Sequence, residues 1–144
     1  NLLLAQKRLS GLHSDPNNEV QSKVDRVVTE HRAAWLKKIH EESTARLNQW
    51  ENILQEYHED GFVPSAYPSQ VRTRVILSLL QVECPYPDSS FDRRLEDLDD
   101  CLKHFLVPGE FVWETSLAKI FPENEFWYLY IELKRTKNGK ILYR

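Results

Sequence analysis

Five carboxylates crowd one stretch of this chain, at Asp92, Glu96, Asp97, Asp99 and Asp100. Asp92, Glu96 and Asp99 recur at the three-and-four spacing that places side chains on one helical face. Paired carboxylates can hold a divalent cation or serve as acid and base. A carboxylate metal site gathers ligands from several elements, and the sequence offers no second contributor. Arg93 and Arg94 are partners close at hand. The run therefore predicts a solvated face, not a reaction centre.

The remaining chemistry-bearing residues point the same way. His40-Glu41-Glu42 opens like a zinc-protease helix, but the position four after His40 is Thr44, so the second ligand is missing. His31 falls on an apolar stripe, while His58 and His104 fall near helix ends, where imidazole meets the negative end of the dipole. Cys84 precedes a proline and Cys101 lies in a helical stripe, and neither has the neighbours of a nucleophile. They predict two buried thiols in a reducing compartment, with one disulfide as the alternative. The four glycines, at 11, 61, 109 and 139, leave no phosphate-cradling loop. The expectation is a non-enzymatic protein with no catalytic residue, metal or cofactor.

The tail carries the strongest binding signal. Phe126-Trp127-Tyr128-Leu129-Tyr130 runs into Lys134, Arg135, Lys137, Lys140 and Arg144, with Asn138-Gly139 between the lysines. Asn-Gly is the preferred centre of a type I′ hairpin turn. Basic residues beside tyrosines suit a phosphate backbone and stacked bases. A short helix before a basic-tipped hairpin resembles the end of a winged-helix module. Residues 115–121 are, however, too short and too apolar for a recognition helix. The competing expectation is a hairpin that packs its aromatics on the helices and keeps lysines at its edge against association.

The elements that must position these groups read as mostly helical. Leu2, Ala5, Leu9 and Leu12 share a face of a docking helix within residues 1–14. Residues 17–59 carry an unbroken stripe through Val20, Val24, Val27, Val28, His31, Trp35, Ile39, Ser43, Leu47, Trp50, Leu54 and Tyr57, without Pro or Gly. A helix of that length is a rod of roughly 60 Å. A domain of this size spans only on the order of 30 Å, so part of the rod is expected to project. Gly61 ends it at the C′ position. Residues 62–122 supply two core helices, about 69–83 and 89–106. Arg72 and Arg74 mark the wet face of the first, and Val107-Pro108-Gly109 breaks the second. A short strand is expected at Glu110–Trp113, and residues 126–144 form the hairpin.

The whole is expected to be a single α-rich α+β domain, with one long amphipathic helix and a C-terminal β-hairpin. The net charge of −3 gives no global attraction to nucleic acid, although residues 111–144 hold six basic and four acidic side chains. No apolar run approaches the roughly 20 residues of a membrane span. The chain has no Met and starts at Asn1, which reads as a piece of something longer. The favoured function is a protein–protein interaction module of a larger intracellular complex, cytoplasmic or nuclear. It would bind another protein, or itself, through Trp35, Ile39, Leu47, Trp50, Leu54 and Tyr57 and through the hairpin edge. The alternative is a nucleic-acid-binding module using Lys134, Arg135, Lys137, Lys140 and Arg144.

Overall fold

The computed structural model describes residues 3–5, 7–8, 18–84 and 89–134. Helix α1 is described at residues 3–5 and 7–8, followed by α2 (Asn18–Glu30), α3 (Arg32–Asp60), α4 (Tyr67–Gln70), α5 (Arg72–Glu83) and α6 (Ser89–Phe105). Strand β1 (Leu106–Phe111) and strand β2 (Tyr130–Leu133) complete the order. The chain is thus an α-rich α+β domain with one long helix and a two-strand antiparallel hairpin toward its C-terminal end.

The expected single rod over 17–59 is two helices. His31 leaves helical geometry (φ −133°, ψ 41°), and the Trp35 N–H then bonds to the His31 carbonyl at 2.8 Å to start α3. Neither Pro nor Gly causes the break. A straight rod would hold the apolar positions of α2 away from the body. Bending at His31 lets Val24 become buried and brings Gln21 beside Leu79, Val82 and Phe126. Removing that apolar area from water favours the bent path.

Helix α3 does not project either. Ile39, Leu47, Trp50, Leu54 and Tyr57 are all buried in the chain's own core, with Leu3, Leu4, Val75, Leu77, Leu95, Leu102, Phe121 and Leu129. Gly61 closes the helix at φ 93°, the backbone region that favours glycine. One turn, α4, begins with Pro68 near its start, where a missing N–H removes no helical bond. Val71 N–H bonds to the Tyr67 carbonyl and Val75 N–H to the Val71 carbonyl, so the chain passes into α5 without losing its ladder.

In the hairpin, Leu106 pairs with Leu133, Val107 with Glu132, Pro108 with Ile131, and Phe111 with Tyr130. The register slips between Pro108 and Phe111. Val107-Pro108-Gly109 therefore lies inside a strand that begins at Leu106, earlier than the expected Glu110. Proline is tolerated next to an irregularity in the ladder. Gly109 has a stricter role: a Cβ there would sit 2.7 Å from the Ile131 carbonyl carbon and 2.8 Å from the Glu132 nitrogen. The expected helix near 115–121 is a 3-10 turn at Thr115–Leu117, and another 3-10 turn, Trp127–Leu129, leads into β2. The Asn138-Gly139 turn lies outside the described residues.

Candidate functional site

Each proposed binding residue of the α3 stripe has a definite place. Trp35 is half-buried and packs against the core, and the other five residues of the α3 stripe are buried. That corrects the expectation of a partner surface: the stripe is covered by α5, α6 and Phe62 of the same chain. Trp50 is wholly enclosed, and its indole N–H has no hydrogen-bond partner among the described residues. Of the five basic residues, only Lys134 is described; Arg135, Lys137, Lys140 and Arg144 lie outside the described residues. Lys134 donates its ammonium to the Lys103 carbonyl in the last turn of α6. It thereby satisfies a carbonyl that the helix end would leave open. Beside it, Lys103 lies over the Trp127 ring at 5.1 Å.

The acidic face resolves into local partners. Asp99 accepts two hydrogen bonds from Arg74, at 2.8 Å from Nε and 2.8 Å from Nη2. Arg74 was expected on the wet face of α5 and is buried instead, because this carboxylate on α6 meets it. Its third nitrogen donates to Ser78 Oγ at 2.7 Å, and Ser78 shares a 2.6 Å hydrogen bond with Tyr128. The guanidinium also lies 4.5 Å from the Tyr128 ring centroid. Burial alone would lower the Arg74 pKa, but the Asp99 hydrogen bonds and nearby Tyr128 outweigh it and raise it. Burial pushes the Tyr128 phenol up to about 12, although Arg74 and Ser78 pull it back. Asp92 accepts from Gln81, and Asp100 pairs with Lys103 at 3.4 Å. Among the described residues, no group of three or more His, Cys, Asp or Glu is placed to hold a metal.

His40, Cys84, Asp92 and Arg94 do line one groove of about 330 Å³ between α3, α5 and α6. Asp92 there is bound to Gln81, and Arg94 to Glu51 at 2.6 Å. Cys84 and Cys101 form no disulfide with each other and are both exposed, which corrects the expectation of buried thiols. Cys101 turns outward because Leu102, Leu98 and Leu95 already occupy the covered face of α6.

The hairpin borders a second groove of about 350 Å³. Its walls are Phe62, Pro64, Tyr67 and Pro68 on one side and Val112, Ile131, Glu132 and Leu133 on the other. Val63, which lies between Phe62 and Pro64 in the chain, is 51% exposed. The sheet contains only β1 and β2 among the described residues. Tyr67 anchors the wall by donating its hydroxyl to the Tyr128 carbonyl at 2.7 Å. The sequence shows residues 62–68 only as a turn-rich connector. The signal for a lining segment is the pair of aromatics, Phe62 and Tyr67, inside it. The chain matches no protein-family model, no curated protein and no solved structure. Among the described residues, no helix is long and apolar enough to cross a membrane.

Proposed function

We propose that the chain is a non-enzymatic protein–protein interaction module, a piece of a subunit or scaffold of a larger intracellular complex. The hairpin beside its apolar groove supports this reading. A two-stranded sheet leaves main-chain donors and acceptors along its outer edges, and an extended partner segment can pair with them. Side chains alternating along such a segment would meet Ile131, Leu133, Phe62 and Val63. Two cysteines that are not joined in a disulfide support a reducing compartment, cytoplasmic or nuclear. The buried α3 stripe is left out of the binding mode.

A photo-reactive side chain at exposed Glu132, beside the groove, tests the reading, with exposed Glu56 on α3 as the control. The expected result is a discrete protein adduct from position 132, absent from position 56 and lost when Val63→Asp is added. Equal adducts from both positions, or none, would overturn it. A nucleic-acid adduct at 132 would favour the basic tail as the working surface instead.

A further inference from the structure

Three successive residues of β2, Ile131, Glu132 and Leu133, border the hairpin groove. Side chains alternate between faces along a strand, so three in a row meet one groove along the strand's edge. β1 pairs with one edge of β2, which leaves the groove at the outer one. Hydrogen bonding fixes which main-chain groups point there. The Lys134 N–H bonds to the Phe105 carbonyl at 3.0 Å, so residue 134 turns toward β1. Successive residues of an antiparallel strand present their N–H and C=O to opposite edges. Leu133 therefore presents both of its groups to the outer edge. Pro108 agrees with this phase: it sits opposite Ile131, where β1 needs no N–H directed at β2.

The sequence beyond Lys134 carries the same phase independently. Asn138-Gly139 suits the two central positions of a type I′ turn. Such a turn makes Lys137 and Lys140 a hydrogen-bonded pair. Counting back along both arms, Thr136 meets Ile141, Arg135 meets Leu142, Lys134 meets Tyr143 and Leu133 meets Arg144. The hydrogen-bonded pairs then include Leu133, whose groups point outward. A two-residue turn shifted by one position would need the groups of Lys134, which are already spent on β1. Ile141, Leu142 and Tyr143 are good strand formers. The register also puts Leu142 on the face that carries Leu133. Lys134, where the two arms begin, is held by its bond to the Lys103 carbonyl.

We propose that residues 140–144 add to β2 as a third strand and cover the end of the groove at Leu133, so that a partner segment must displace them. The tail is a built-in competitor for the docking edge, a point that rests on the interaction reading above. Apparent affinity for a partner is then reduced to the fraction of molecules whose edge is open.

Nuclear Overhauser contacts in the whole chain test the pairing. The register makes Lys134–Tyr143 and Thr136–Ile141 non-hydrogen-bonded pairs, whose Cα atoms approach to about 4.5 Å. Strong Hα–Hα contacts within both pairs are expected. Gly139→Val puts a β-branched residue where the turn needs positive φ, and should abolish them. Their absence from the unaltered chain, or contacts found only between differently labelled copies, would overturn the third strand. The adduct yield from position 132 tests the competition. Gly139→Val should raise it about tenfold, the gain expected when an edge open in about one molecule in ten becomes open in all. An unchanged yield would overturn the competitor role. If neither chain gives an adduct while the contacts are present, the interaction reading fails and the third strand stands.

Discussion

At the scale of single residues, the Arg74–Asp99 pair is the group whose loss should be felt most. The two side chains are 8% and 14% exposed, so each depends on the other for what water would have supplied. Removing one partner of a buried pair costs about 3–5 kcal/mol, because the other charge is stranded. Asp99→Leu or Arg74→Met is therefore expected to lower the urea midpoint sharply. The double variant Arg74→Met with Asp99→Leu should lose less than the two single changes added together, and a strictly additive cycle would contradict the pairing. The tyrosines give a second residue-scale expectation. Burial raises Tyr57 and Tyr67 as well as Tyr128, whose phenol reaches about 12. A phenol raised in the folded state, above an unfolded value near 10, contributes stability that is complete below about pH 10. That stability is lost as pH climbs through the folded value. Tyr128 alone should then account for a loss on the order of 3 kcal/mol between the two. Phenolate absorbance should accordingly appear in two stages, the second coincident with loss of the circular-dichroism signal of helix. None of this was legible beforehand: Arg74 and Asp99 are separated by a whole helix junction, and Arg74 shares the spacing of an exposed position.

Elements were more legible than the joints between them. The stripe of α3 and that of α6 follow from their spacing, because a face that recurs every three or four residues has one way to be buried. The bend at His31 was hidden because neither Pro nor Gly marks it; the gain comes from Val24 and Gln21 meeting elements distant in the chain. Strand β1 was hidden for the opposite reason. Pro108 and Gly109 carry the composition of a break, yet the hairpin uses both, the proline beside the slip in register and the glycine at the closest approach of β2. Gly109→Ala tests that account. The added methyl would have to displace the backbone at Ile131 and Glu132, which no side-chain rotation can relieve. Overpacking of this kind costs about 1–3 kcal/mol. The expected loss should be accompanied by faster amide exchange at Ile131 and Leu133, while α3 amides keep their order of protection. Unchanged exchange in β2 would show that the strands do not approach so closely.

For the molecule as a whole, the decisive point is what covers the long helix. The same periodicity that announces an amphipathic helix is silent on whether its cover comes from this chain or from another. A straight rod of roughly 60 Å needs a partner, because a domain of this size cannot cover it. Bending it at His31 shortens the part that must be covered, and the covering side chains come from α5, α6 and Phe62. The two assignments predict different consequences for one mild change. Ile39→Val removes a single buried methylene and should cost about 0.5–1.5 kcal/mol of folding stability. If α3 faces its own core, that loss appears in the unfolding midpoint, and capture of a partner from position 132 is unaffected in protein that remains folded. If the stripe were a partner surface, stability in isolation would hold and capture would fall. The enclosure of Ile39, Trp50 and Leu54 within one core favours the first outcome.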